Sequence, residues 1–290
     1  MKPLRLALPK GSLEASTLEI LAKAGWKVSP SARNYHPHID DPEIECLLLR
    51  PQEMPRYIER GQIDAGICGR DWVLENGADV QVVADLVYSK HLLTPVRWVL
   101  CVPETSPFRS VKDLEGRTIA TELVRTTEDY LRRHGVRAKV EFSHGATEVK
   151  PPELADAIVD LTETGRSLRA HNLRILDTVC ESVTQLVCNR AAWADPGKRR
   201  KLESLGLLMQ GAIRAREMVG LKMNVPPEAR QAVLGQLEAL GSPTLSPLAR
   251  EGWCAIEVVI AESSVRRLVP ELRRAGATGI IEYPLNKVIP

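Results

Sequence analysis

The run Asp156-Ala157-Ile158-Val159-Asp160-Leu161-Thr162-Glu163-Thr164-Gly165-Arg166-Ser167-Leu168 concentrates residue types that can hold an anion. Ala157, Ile158, Val159 and Leu161 read as a buried strand, Thr164-Gly165 breaks it, and a polar run then starts a helix. At such a turn free backbone N–H groups and the helix dipole point at whatever is bound. Thr162, Thr164 and Ser167 add hydroxyl donors. Asp160 stands just before the turn, where a carboxylate can hold ribose hydroxyls or a hydrated Mg2+. An ordinary strand, turn and helix with a capping threonine fits the same pattern, and this stretch alone does not choose between them.

Two other strand ends carry similar chemistry. Leu4 to Leu8 reads as a strand, followed by Lys10-Gly11-Ser12 and a helical pattern with Leu13, Leu18, Leu21 and Ala22 on one face. Ser12 is a candidate helix N-cap. Lys10 would supply charge and Gly11 a close approach, although a plain turn with an exposed lysine also fits. Ile63 to Cys68 is too short for a helix and reads as a strand; Gly66 and Gly69 leave no side chain where it ends, Arg70 follows, and Asp71 can cap the next helix. Ligands of open α/β sheets bind at such C-terminal strand ends.

These positions need a scaffold, and composition bounds it. With 290 residues, 44% hydrophobic and 26% charged, the chain is a soluble globular protein of two or three domains. A net charge of +2 and 4% aromatic residues argue against nucleic-acid and membrane partners. The lone basic cluster, Lys198-Arg199-Arg200-Lys201, reads as a solvated helix face or a subunit contact. Cys46, Cys68, Cys101, Cys180, Cys188 and Cys254 form no C-x-x-C pair and mostly lie in apolar runs, as reduced core thiols do. Charged residues interrupt the N-terminus at once and no apolar run reaches membrane-spanning length, so a cytoplasmic protein without a signal peptide is expected.

In order, strands are expected at Leu4–Leu8, Ile44–Leu49, Ile63–Cys68 and Val80–Leu86, with helices between, a βαβαβ pattern that predicts a parallel sheet. A second α/β unit starts with the strand Pro95–Val102 and runs through helices near 110–114 and 124–134 to the strands at 138–142, 157–161 and 173–179. The strand Val183–Cys188 has no long helix to hold it there, so the chain is expected to cross back. This gives one lobe from 1–95 and 183–215, a second from 96–182, and a cleft between them. Residues 216–290 read as βαββαβ, a ferredoxin-like layout. Such a domain after a complete two-lobed body suggests regulation or assembly.

Leu8-Pro9-Lys10-Gly11-Ser12-Leu13, Asp64-Ala-Gly66-Ile67-Cys68-Gly69-Arg70-Asp71, Glu148-Val-x-Pro-Pro, the run 156–168 and Glu181-Ser182 resemble, in order and spacing, the motifs of ATP phosphoribosyltransferase. Thr164-Gly165-x-Ser167 after a strand and an acid is similar to the 5-phosphoribosyl pyrophosphate (PRPP) loop of phosphoribosyltransferases. Ser242-Pro243-Thr244 and Gly276-Ala-x-Gly279-Ile280 resemble the regulatory domain of the long form. The resemblance covers essentially the whole chain. It implies a two-lobed, periplasmic-binding-protein-like catalytic body. It also implies a reaction joining N1 of ATP to C1 of PRPP, with Mg2+ and release of pyrophosphate, as the first step of histidine biosynthesis.

The implied PRPP set is Asp160, Thr162, Thr164, Gly165, Arg166, Ser167 and Leu168, with Asp160 near the ribose. The implied set for ATP and the phosphates is Lys10, Gly11, Ser12, Gly69, Arg70 and Asp71. Mg2+ would be held mainly by substrate phosphates, with Asp160 as its candidate protein contact. Feedback inhibition by histidine would use Asn224, Leu240, Thr244 and Gly279, in a dimer or hexamer. Three departures stand out: Glu163 and Arg166 stand in the loop where members often carry small residues, Ser12 replaces a common arginine, and Asn224 stands where some members carry an acid. Adenine N1 has a free lone pair, so no acid or base is assigned; His36 and His38 read as loop residues, and His144 receives no role. A binding protein of the same two-lobed fold, or a non-catalytic regulatory subunit, would share the architecture. The absent leader argues against the first, and Lys10, Asp160, Thr164 and Gly165 against the second.

Overall fold

The computed structural model describes residues 2–31, 34–89, 93–237 and 243–289. The chain divides into two compact units, Met1–Met209 and Gln210–Pro290. The second begins earlier than the expected residue 216. Gly211 lies against the C-terminal segment there: the Val288 N–H donates to the Gly211 carbonyl at 3.0 Å.

In the first unit the chain runs β1 (Leu4–Pro9), α1 (Glu14–Ala24), β2 (Val28–Ser31), β3 (Asn34–Ile39), β4 (Ile44–Leu49), α2 (Met54–Glu59), β5 (Ala65–Gly69), α3 (Arg70–Asn76) and β6 (Gln81–Leu86). It continues through β7 (Val96–Pro103), β8 (Thr118–Thr121), α4 (Val124–His134), β9 (Lys139–Phe142), β10 (Ala157–Thr162), α5 (Arg166–Ala170), β11 (Leu173–Ser182), β12 (Thr184–Cys188), α6 (Arg190–Ala194) and α7 (Pro196–Ala215). Two five-stranded sheets result, ordered β4-β1-β5-β12-β6 and β11-β7-β10-β8-β9. The chain leaves the first sheet after β6 and returns as β12. Two lobes crossed twice are the architecture that the resemblance implies.

The first sheet is not wholly parallel. β12 returns between β5 and β6 and runs antiparallel to both, because it arrives from the other lobe rather than through a βαβ crossover. His36 and His38 lie on β3 of a two-stranded hairpin with β2, not in a loop. Apolar strands explain the cores: Ala7, Ile63, Cys68 and Val187 pack with Met54 and Ile58 in the first lobe, and Trp98, Leu100, Ile119, Leu131 and Val159 pack in the second. Leu161, expected in the core, is 43% exposed, since β10 ends at the cleft.

The basic cluster at 198–201 is largely neutralised. Lys198 pairs with Asp64 at 2.8 Å, Lys201 with Asp41 at 3.0 Å and with Glu43, and Arg199 with Glu203 at 2.8 Å. The cysteines are unbridged, and all but Cys180 are buried.

The second unit holds β13 (Met218–Val225), α8 (Arg230–Leu237), β14 (Thr244–Pro247), β15 (Cys254–Ala261), α9 (Glu262–Arg274) and β16 (Thr278–Pro284). Its sheet order, β14-β15-β13-β16, gives the expected ferredoxin-like layout. Leu221, Met223, Ile256 and Val258 face the core with Val233, Leu268 and Leu272. Among the described residues no helix is long and apolar enough to cross a membrane.

Candidate active site

The C-terminal ends of β1, β5 and β10 meet at a cleft of about 340 Å³ between the two lobes of the first unit. Lys10, Ser12, Gly69 and Asp71 line it from one lobe, and Glu122, Asp160 and Glu163 from the other. The walls differ in charge: Lys10 and Arg50 stand on the first, beside the buried Asp71, and the charged residues lining the second are carboxylates.

On the first wall, Gly11 has a φ of +120°, which a side chain would strain, and an added Cβ would lie 3.1 Å from an Arg50 guanidinium nitrogen. The expected Ser12 cap is absent: the N-cap position of α1 is Leu13, and no side chain caps it. Glu14 instead accepts from the Lys10 ammonium at 3.2 Å and from the Gly11 N–H at 3.4 Å. Arg50 was missed in the sequence, although it follows the β4 strand end and obeys the same rule as Lys10. It supplies a cation on the wall where Ser12 supplies none.

Asp71 is only 4% exposed. Its carboxylate accepts from the Trp98 indole at 2.7 Å and from the Trp72 N–H at 3.0 Å, while its own N–H donates to the Ser182 hydroxyl at 3.1 Å. Burial pushes its pKa up, and these hydrogen bonds partly offset that. Asp71 thus lines the cleft as a fixed wall residue rather than as a simple helix cap. Gly69 is extended, with φ −72°. An added Cβ there would sit 2.0 Å from Asp71 Oδ1, so the packed carboxylate explains the glycine.

On the second wall, Asp160 has its pKa raised to about 6, first by desolvation and then by the Glu148 and Glu122 carboxylates, against a lowering bond from the Leu161 N–H. Thr162 is buried, and its hydroxyl accepts the Gly165 N–H at 2.7 Å, shaping the turn. Gly165 has a φ of +71°, the left-handed region that favours glycine. Thr164, Arg166 and Ser167 are exposed on the loop, and Ser167 donates to Glu148 at 3.3 Å. The Leu168 side chain is buried with Ile158 and Ala120, leaving only its backbone for a ligand.

The structure does not bring every expected residue to one place. Arg70 lines a different depression, with Arg125, Arg132, Arg133 and Glu181. The loop 164–168 flanks the cleft as the direct continuation of Asp160 to Glu163. Burial pushes the Cys46 and Cys101 thiols up to about 12, so neither is a nucleophile at neutral pH. In the second unit Asn224 lies against Gly279, whose added Cβ would be 3.2 Å from the Asn224 amide nitrogen. Thr244 lies two strands away on β14, and Leu240 falls outside the described residues.

Comparison with known proteins gives the family. The family model described as ATP phosphoribosyltransferase matches residues 50–211, and that described as its C-terminal domain matches residues 215–287. ATP phosphoribosyltransferase of Solibacter usitatus is 57% identical over 286 residues, covering 99% of each chain. That of Desulforudis audaxviator is 58% identical over 287 residues, again with 99% of each chain covered. A chain of the ATP phosphoribosyl transferase (HisG:HisZ) complex from Thermotoga maritima superposes with a TM-score of 0.61 at 29% identity, over 71% of this chain and 98% of that one. The chain thus belongs to the long form of the ATP phosphoribosyltransferase family, whose members transfer the 5-phosphoribosyl group of PRPP to N1 of ATP in the first step of histidine biosynthesis.

Proposed function

We propose that the cleft between the two lobes of the first unit is where this transfer takes place. The observation that carries the reading is the meeting of Lys10, Gly69 and Asp160 from separate lobes around one cavity. PRPP would place its 5-phosphate on the backbone N–H groups and hydroxyls of Thr164 to Ser167. Asp160 would face the ribose hydroxyls. Lys10, Gly11 and Arg50 would meet the phosphates from the opposite wall, after Glu14 gives up Lys10.

Departure of pyrophosphate from C1 builds oxocarbenium character on the ribose, as in glycoside hydrolysis. The adenine N1 lone pair attacks without prior deprotonation, so the residues have to orient and neutralise rather than move a proton. The carboxylate wall fits a hard divalent cation: the Glu148 and Glu122 charges both act on Asp160, and a polyanion beside them needs a positive charge between. Mg2+ would be carried mainly by the substrate phosphates, with Asp160 as its candidate protein contact. When bound, Mg2+ would neutralise the leaving pyrophosphate.

We read the second unit as the histidine-responsive domain, through Asn224, Thr244 and Gly279 on one sheet, with Leu240 as a further candidate. We also read the enzyme as a cytoplasmic homo-oligomer, a dimer or hexamer; unbridged cysteines support a reducing compartment, and Val259 and Ile281, both exposed on that sheet, support assembly. The test is turnover of ATP, PRPP and Mg2+ with pyrophosphatase, followed by the ultraviolet absorbance of N1-substituted adenine, with and without histidine. A PRPP-dependent rise suppressed by histidine is expected. A rise indifferent to histidine would remove the regulatory role, and no rise would remove the catalytic assignment.

A further inference from the structure

Helix α4 starts without a cap of its own, since Leu123 occupies the N-cap position and offers no acceptor. Its first N–H groups are satisfied from the other lobe. Glu75, near the end of α3, accepts from the Arg125 N–H at 2.9 Å through one carboxylate oxygen. The other oxygen accepts from the Thr126 N–H at 2.9 Å and the Thr126 hydroxyl at 2.8 Å. A carboxylate there also meets the positive end of the α4 dipole. Just beyond α3, the Arg125 side chain covers Gly77, where an added Cβ would lie 1.7 Å from its guanidinium.

The start of α3 grips the same lobe. Asp71 accepts the Trp98 indole N–H, and Trp72 meets Trp98 edge to face with 6.0 Å between ring centroids. α3 leaves β5 of the first lobe, whereas Trp98 and α4 belong to the second. One seven-residue helix is therefore fastened to the opposite lobe at both ends, and its first residues line the cleft.

We propose that Glu75 is a positioning residue for the transfer reaction: as a cap donated across the lobes to α4, it sets the spacing between the Lys10 wall and the Asp160 wall. The inference rests on the assignment of the reaction to the cleft. Glu75 does not line that cleft, so it acts through α3. A contact made only at one separation of the lobes selects that separation.

The test compares wild type, Glu75→Ala and Glu75→Gln as full-length protein. Dye pairs on exposed Glu45 of β4 and Lys139 of β9 report the lobe-to-lobe distance by single-molecule energy transfer in the ligand-free chain. Kinetics report KM for PRPP and kcat separately. Glu75→Ala is expected to shift or broaden the distance distribution and to raise KM about fivefold, the equilibrium equivalent of one lost helix cap. Its kcat should stay within about twofold, because bound substrate closes the cleft again. Glu75→Gln keeps one acceptor and should fall between; it carries the test if Glu75→Ala does not fold. An unchanged distance, or an unchanged KM beside a lower Tm, would make Glu75 a local stabiliser of α4 and overturn the proposal. Absence of turnover in the wild type would instead refute the assignment of the reaction, while the distance measurement would still decide whether Glu75 sets the lobes.

Discussion

Asp160 ties the electrostatics of the cleft to pH. Its folded pKa is raised to about 6 from 3.8, so folding favours its neutral form. The linked stability is fully present below 3.8 and is lost as pH rises through about 6. Above that point the carboxylate is ionised and ready for ribose or a cation, at some cost to the ligand-free lobe. Accordingly, kcat/KM for PRPP should fall as pH drops below about 6, and Asp160→Asn should flatten that limb while raising Tm at pH 8 but not at pH 4. An unchanged limb in the variant would assign it to another group. Gly69 gives a second residue-scale expectation. A Cβ there meets Asp71 Oδ1 at 2.0 Å, and Trp98 tethers that carboxylate. Gly69→Ala should lower stability by about 1–3 kcal/mol, as overpacking does, and this is read by chemical denaturation. A neutral result would mean that Asp71 swings aside freely. The sequence revealed the glycine but not its reason, because the partner that fills its space is held by a tryptophan in the other lobe.

Elements show where sequence patterns suffice. Short apolar runs gave β1, β5, β10 and β12 near their true positions, since a buried strand is apolar along most of its length. The polarity of β12 was less legible: its pairing depends on the path from the other lobe, and no local pattern records that. The β2–β3 hairpin was missed because Pro37 and two histidines interrupt any apolar alternation. Lys198 read as part of a solvated cluster, yet it is only 16% exposed against an Asp64 carboxylate at 8%, fastening α7 to the β5 approach. Lys198→Met should therefore cost about 1–2 kcal/mol in chemical denaturation, because Asp64 loses its buried ammonium but keeps the Arg5 N–H at 2.9 Å and the Arg5 guanidinium at 3.7 Å. A change under about 0.5 kcal/mol would return the lysine to the solvated face first expected.

At the scale of the whole molecule, the proposed catalysis and the proposed control fall to separate units. The regulatory reading is carried by Asn224 and Gly279, which are adjacent in space although far apart in sequence. If an acid at position 224 engages the amino group of histidine, Asn224→Asp should lower the histidine concentration for half-inhibition about tenfold, as a charge-assisted hydrogen bond allows. No change would move that contact elsewhere. The cleft itself was half legible: motifs named Lys10, Gly69 and Asp160, while Arg50, Trp98 and Glu122 came only with the fold. That two lobes together hold PRPP is the central claim, and hydrogen–deuterium exchange on the full-length protein with PRPP and Mg2+ tests it most directly. The account predicts slowed exchange in both the 157–170 segment and the 8–14 segment. Protection confined to one lobe, or found only outside the cleft, would contradict it.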